Sequence, residues 1–329
     1  MSIRVLLDTN VWAYVAADDA AKDLRGIARS SDLEILVSPA VVFEQLRYTQ
    51  RPDVRKRQLD ITTRDWWTRM MPEVHVECEE LVASLRRHRP NWIVASPTSS
   101  SLREYHRNRS DWKHGFWQRA RKTPDRQASY NDQLGGYAIE AGREHIESKK
   151  SFAREHKIGL ASISLADPTL TDCLVHVGGG EPRQTQRWRV DASAHVAHQL
   201  ANVQPGNRTF RDWLDPFLKY DEVASPSAWL SFWMEVDPAE VPTQWLYWAA
   251  ATLAPLVKVN SGTVFDVQIA VYLSHADVFM TADKNFDRIA QILQRYAPFP
   301  VARPVRTSAI SWRSDLLSLA ARTSQRDIG

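Results

Sequence analysis

The chain opens on a short apolar run, Ile3-Arg4-Val5-Leu6-Leu7, which stops at Asp8-Thr9-Asn10. A run of that length with a polar stop predicts a buried strand. Val11 to Ala17 then has helical length and composition, residues 20–31 predict a second helix, and Leu33-Glu34-Ile35-Leu36-Val37 alternates as a strand does. Ser38-Pro39 offers an N-cap followed by proline in the first turn, and so predicts a helix from Ala40 to about Gln50 that carries Glu44. This β-α-α-β-α opening is the pattern of an α/β sheet with parallel strands.

From about residue 60 to 255 the alternation fades and Trp, Arg, Pro and His become frequent. Helices are predicted there over 73–88, 132–155, 191–202 and 209–220, with a strand at Arg187-Trp188-Arg189-Val190 after the triple glycine 178–180. Alternation then returns. Val264 to Ser274 predicts a helix carrying Asp266, Asp277 to Thr281 a strand with Asp283 just beyond it, and Phe286 to Tyr296 a further helix. Pro304 to Trp312 predicts a last edge strand, and Thr323 to Gly329 a frayed tail.

A length of 329 residues suits roughly two domains. With 43% hydrophobic and 25% charged residues, and thirteen Trp, the composition is globular rather than disordered. The two cysteines, Cys78 and Cys173, form no C-x-x-C pair. That excludes a disulfide scaffold and a cysteine zinc site, and fits a reducing, cytoplasmic compartment. Asp8 interrupts the first apolar run too early for a signal core, and no run approaches the ~18 apolar residues of a membrane span. There is no H-E-x-x-H, no Lys-Ser or Lys-Thr after the triple glycine, and no G-x-S-x-G. The P-loop reading thereby fails, and neither a histidine metal site nor a serine nucleophile elbow has a motif to support it.

The chemistry-bearing feature is a set of carboxylates at the ends of buried elements. Asp8 closes the first strand, Glu44 lies on the helix after the second, Asp266 opens a helix, and Asp283 follows another strand. Each alone has an ordinary role, as a helix cap, a dipole partner or a turn residue. Together they point to one site, because ligands of open α/β sheets gather at the carboxyl ends of the strands. Converging carboxylates repel and raise one another's pKa, a conflict that a hard divalent cation such as Mg²⁺ or Mn²⁺ resolves. Such ions serve in-line phosphodiester displacement. An aspartyl phosphatase is disfavoured, since Asn10 rather than a second acid stands two positions after Asp8.

Four strings resemble the motifs of PIN-domain nucleases. They are Val5-Leu6-Leu7-Asp8-Thr9-Asn10-Val11-Trp12, Ser38-Pro39-Ala40-Val41-Val42-Phe43-Glu44, Phe265-Asp266-Val267-Gln268-Ile269-Ala270, and Ala276 to Phe286 with Thr281-Ala282-Asp283-Lys284 at its centre. The resemblance implies a PIN-like parallel sheet flanked by helices, an acidic metal site of Asp8, Glu44, Asp266 and Asp283, and cleavage of RNA dependent on Mg²⁺ or Mn²⁺. It implies supporting roles for Asn10 and Thr281, with Asp287 as a weaker candidate acid. It covers residues 1–60 and 256–329, a discontinuous nuclease domain. The departure is the spacing: Glu44 and Asp266 stand 222 positions apart. Residues 61–255 are therefore expected to be a mostly helical insertion. The family also admits a toxin or defence effector, with an antitoxin or other regulatory protein as partner.

Within that segment, residues 86–126 hold eleven Lys and Arg against three acids. Arg103, Arg107, Arg109, Arg119 and Arg121 are candidate nucleic-acid contacts, since cations that neutralise phosphates are what a single-strand groove needs. The interleaved Trp92, Tyr105, Trp112, Phe116 and Trp117 are expected to anchor the core. The leading reading is a metal-dependent endoribonuclease. A second is a nucleic-acid-binding or scaffold protein whose acidic site no longer turns over. A third is a structure-specific DNA nuclease that grips a branched substrate with its middle segment.

Overall fold

β1 (Ile3–Leu7) lies at the centre of a five-stranded, all-parallel sheet. A computed structural model describes residues 2–47, 50–131, 137–155, 187–201, 210–223, 226–257 and 262–324. β1 pairs on one side with β2 (Leu33–Val37) from Ile3↔Leu33 to Leu6↔Leu36, and on the other with β4 (Val278–Thr281) from Val5↔Val278 to Leu7↔Met280. Outside these run β3 (Thr68–Arg69) and β5 (Arg303–Arg306), giving the order β3-β2-β1-β4-β5. Val5, Leu6 and Leu7 are wholly buried. A parallel strand covered by helices on both faces has no solvent side, which is why this run is apolar rather than alternating.

The opening α1 (Thr9–Ala17), α2 (Ala21–Ser30) and α3 (Pro39–Leu46) follow the expected order. Ser38 caps α3 as its position before Pro39 predicts, its Oγ accepting from the Val41 N–H at 3.4 Å. The helix ends at Leu46 rather than near Gln50. α4 (Pro52–Thr62) follows it, with proline at its first position. β3 went unread, because two residues carry no period. It also takes the sheet past residue 60, into the segment expected to be an insertion.

The described residues beyond β3 are mostly helical up to residue 257. α5 (Glu73–His88) matches its expectation. α6 (Ser99–Ser110) passes through a π turn, Asp111–Gly115, into α7 (Phe116–Lys122), and α8 (Pro124–Asn131) and α9 (Tyr137–Glu155) follow. The strand expected at Arg187–Val190 is instead the first turn of α10 (Arg187–Ala201). Trp188, Ala192 and Val196 are buried at a spacing of four, which is one face of a helix and places them against α12 (Pro226–Glu235). The Arg189 guanidinium donates to the carbonyls of Trp233 and Val236 at the end of α12. The helix expected over 209–220 is only α11 (Phe210–Leu214), since Pro216 excludes the residue before it from helical geometry. The chain then extends, and Ile93 bridges Leu218. The triple glycine and Cys173 lie outside the described residues.

α13 (Pro242–Leu253) packs on α14 (Thr263–Ala270) and on α15 (Lys284–Tyr296). The helix expected over 264–274 is split, its last turn tightening to a 3-10 segment, Val271–His275. The last strand is shorter than expected. Trp312, placed in it by the sequence, begins α16 (Trp312–Ser324), which also takes in Thr323 and Ser324 from the expected tail. No described helix is long and apolar enough to cross a membrane.

The interleaved rings do anchor the core. Trp92, Tyr105, Phe116 and Trp117 are buried, and Phe43 meets Phe116 at 5.2 Å and Trp112 at 6.0 Å between ring centres. These contacts tie α3, and with it Glu44, to the middle segment. Trp117 is fully buried and its indole N–H donates to the Trp112 carbonyl at 2.7 Å. Trp117→Ala is expected to cost about 3–5 kcal/mol of stability, read from denaturant midpoints at unchanged slope.

Candidate active site

The parallel register brings the end of β1 beside the end of β4. Asp8 follows β1 and caps α1, its Oδ1 accepting the Thr9 N–H at 2.7 Å. Its Oδ2 accepts from Asn10 Nδ2 at 2.7 Å and from the Thr281 hydroxyl at 2.6 Å. Asn10 in turn accepts the Ala282 N–H at 2.9 Å, and Thr281 Oγ1 accepts the Asp283 N–H at 3.0 Å. Asn10 and Thr281 therefore lock the two strand ends together around one carboxylate. Asp283 caps α15, with Oδ1 accepting from the N–H groups of Asn285 at 2.6 Å and Phe286 at 3.0 Å.

Glu44 reaches the same place from α3. Its Oε2 accepts the Thr9 hydroxyl at 2.5 Å. Thr9 lies in the Asp-Thr-Asn string, but nothing local signals that its hydroxyl bonds a helix 35 positions away. Asp266 enters from the first turn of α14. Asp287 stands one turn beyond Asp283, and its carboxylate is occupied by Gln291 Nε2 at 3.0 Å.

Electrostatics join four of these acids. Burial pushes Asp8 up to about 6, the Asp283 charge adding to it, against the hydrogen bonds from Thr281, Thr9 and Asn10. Burial and then the Asp8 charge raise Glu44 to about 7, with Asp283 adding and the Thr9 hydroxyl opposing. Asp266 is held well above the usual carboxylate range by burial and by Asp8, Glu44 and Asp283 together. Asp8, Glu44, Asp266 and Asp283 thus share one electrostatic neighbourhood.

Comparison with protein-family models, curated proteins and solved structures finds no match. The chemistry must be read from the donors themselves. An all-oxygen set whose members destabilise one another's charge suits a hard divalent cation. Among the described residues, however, no group of three or more His, Cys, Asp or Glu side chains is arranged to hold a metal ion as it stands. Several of the oxygens are engaged by Thr9, Asn10, Thr281 and the start of α15, so ligation would compete with those bonds.

The five arginines differ in their partners. Arg103 is exposed on α6, and Arg107 pairs with Glu104 at 2.5 Å on the same helix. Arg119 clasps Asp111 with both terminal nitrogens, at 2.6 and 2.8 Å, and donates to Gln127 from Nε. Arg109 is half-buried, and its charge acts on Glu79 and Tyr105. Arg121 is the one tied to the strand ends, through its repulsion of Arg69, the last residue of β3. Glu104 and Asp111 belong to the same segment, so these pairings leave its excess of Lys and Arg over acids as it stands in the sequence.

A second set of acids, half-buried, lies on α5. Glu73, Glu77 and Glu80 line one face of α5 at helical spacing. Glu80 accepts from the Thr243 N–H and hydroxyl, both at 2.9 Å, and burial raises it to about 8. Glu77 accepts from Gln244 Nε2 at 2.7 Å and pairs with His195 at 3.4 Å, while Tyr272 donates to Glu73 at 3.3 Å. These contacts fasten α5 to α10, to α13 and to the 3-10 segment before β4.

Proposed function

We propose that the protein is a divalent-cation-dependent endonuclease that hydrolyses phosphodiester bonds in RNA. The reading is carried by one observation: Asp8, Glu44, Asp266 and Asp283, delivered by elements far apart in sequence, act on one another's charge at a single end of the sheet. In this reading the four carboxylates hold Mg²⁺ or Mn²⁺. When bound, the cation supplies a nucleophile near neutral pH and offsets charge on the displaced oxygen. Thr9, Asn10 and Thr281 keep the carboxylates oriented. Glu44, bonded to Thr9 through one oxygen, retains the other to accept a proton from the attacking water.

The resemblance to PIN-domain ribonucleases supports RNA over DNA. It also supports residues 1–60 and 256–329 as the nuclease domain, residues 61–255 as a mostly helical insertion, and a cytoplasmic toxin or defence effector held by an antitoxin. A second reading, a nucleic-acid-binding or scaffold protein with a degenerate site, is favoured by the engagement of the carboxylate oxygens in hydrogen bonds.

Incubation with a panel of RNAs and single-stranded and branched DNAs separates these readings. Cleavage of RNA is expected with Mn²⁺ or Mg²⁺ and none with chelator. Full activity in chelator would overturn the cation-dependent mechanism, binding without cleavage under every condition would favour the second reading, and cleavage confined to branched DNA would replace RNA as the substrate.

A further inference from the structure

At the end of the sheet opposite the carboxylates lies a cleft of about 650 Å³. Its floor is the start of β2. β3 pairs only with Leu36 and Val37, so among the described residues the outer edge at Leu33 to Ile35 has no strand partner and borders the cleft. One wall is α2, bringing Arg25 and Arg29; the other is the approach to β3, bringing Asp65 and Trp66. The Arg25 guanidinium lies 4.2 Å from the centre of the Trp66 ring, and that of Arg64 lies 4.4 Å from it. Among the described residues neither Arg25 nor Arg29 has a carboxylate partner. Asp32 and Asp65 stand at the rim as acceptors, while Glu34 is engaged by the Thr68 hydroxyl at 2.6 Å.

With no carboxylate paired to either guanidinium among the described residues, Arg25 and Arg29 can together hold an anion. The nearby aspartates would oppose a simple one, and so favour a ligand that also presents hydrogen-bond donors. The guanidinium–indole stack adds a planar surface of the kind on which nucleobases lie. We propose that this cleft binds a nucleotide. Its phosphate is held by Arg25 and Arg29, its base extends the stack over Trp66, and its ring or ribose donors face Asp32 and Asp65. Open backbone groups of β2 complete the set. The site uses none of the four carboxylates, so it stands whether or not the protein is a nuclease. The same chemistry is offered by a free mononucleotide and by one nucleotide of an RNA chain.

The test is calorimetric titration of the full chain, in chelator, with guanosine and adenosine monophosphates, inorganic phosphate and a short single-stranded RNA. Saturable binding of at least one mononucleotide is expected, tighter than that of phosphate. In Arg25→Gln/Arg29→Gln it should weaken by about tenfold or more, as loss of charge-assisted hydrogen bonds predicts. Arg25→Lys/Arg29→Lys should fall between the two, keeping the charge and losing the planar fork. Melting curves confirm that each variant is folded. RNA that displaces the mononucleotide, and weakens with it in the glutamine variant, identifies the polymer as the source. RNA that does not displace it identifies the free nucleotide. No saturable binding of any mononucleotide, or binding unchanged in the folded glutamine variant, would overturn the proposal. An extended peptide that binds equally well to parent and variant, in place of any nucleotide, would identify the cleft as a strand-edge docking site and would also overturn it.

Discussion

Glu44→Gln is expected to abolish cation-dependent RNA cleavage, lowering turnover by several orders of magnitude, while the chain folds as before. Gln keeps the length of the side chain and a carbonyl oxygen able to accept the Thr9 hydroxyl that now bonds Glu44 at 2.5 Å. What it removes is a negative charge that burial, Asp8 and Asp283 all oppose. Loss of an anionic ligand, and of the group placed to take a proton, falls on the chemical step. Asp8→Asn is a less clean test. Three donors converge on the two Asp8 oxygens, from Thr9, Asn10 and Thr281, and an amide would turn its own N–H₂ toward some of them. Relief of like-charge repulsion by itself would make that replacement neutral or slightly stabilising. The hydrogen bonds reverse the sign, and a cost of about 1–3 kcal/mol is expected for donors left unpaired. Initial rates on a labelled RNA, set beside circular-dichroism melts of both variants, check these statements. Parent-level cleavage by Glu44→Gln would remove the carboxylate site from the mechanism.

The melting temperature of the cation-free protein should fall as pH rises from about 4 to about 7, and Mn²⁺ or Mg²⁺ should restore it above that range. Asp8 moves from 3.8 to about 6 on folding, and Glu44 from 4.5 to about 7. Between the unfolded and folded values the native state binds more protons than the unfolded chain, so stability drops with each step in pH. Below the unfolded values both states are protonated and the full stability is present. Above the folded values both are ionised, and the loss is complete. A cation that binds the native carboxylates replaces the lost protons and stabilises in proportion to the logarithm of its concentration over Kd. Glu80, raised to about 8, contributes with the same sign and extends the window upward. The discriminating quantity is therefore the difference between the parent and Glu44→Gln, which should be flatter over pH 4–7 and less responsive to cation. Each kcal/mol is worth about 2–4 °C in domains of 150–250 residues. Superimposable melting profiles for the two proteins would show that Glu44 is not part of a coupled acidic site.

Local chemistry was enough to read much of the sheet and one of the long helices beside it. The apolar runs at Ile3–Leu7 and Leu33–Val37, the Ser38-Pro39 helix start and the α5 boundaries are all local events, set by side-chain period and capping, and they appear as expected. The failures share a cause. Arg187 to Val190 reads as a strand in isolation, yet becomes helical because Trp188, Ala192 and Val196 find a helix to pack on and Arg189 finds the carbonyls at its end. Glu77 and Glu80 carry no local signal either, and their partners His195, Gln244 and Thr243 lie on other helices. In each case the partner is supplied by another element, and no window of sequence contains it.

Local pattern was enough to place Asp8, Glu44, Asp266 and Asp283 on or beside the ends of strands and the starts of helices. Only the tertiary structure decided that they meet. Asp8 and Thr281 are 273 positions apart and share a hydrogen bond because β1 pairs in parallel with β4, so that both strands end on the same side. Glu44 joins them because Phe43 is clasped by the rings of the middle segment and Thr9 reaches across from α1. Strand order and helix packing are properties of the whole buried core, in which non-local contacts compete, and a local pattern of polar and apolar positions carries no information about which competitor prevails.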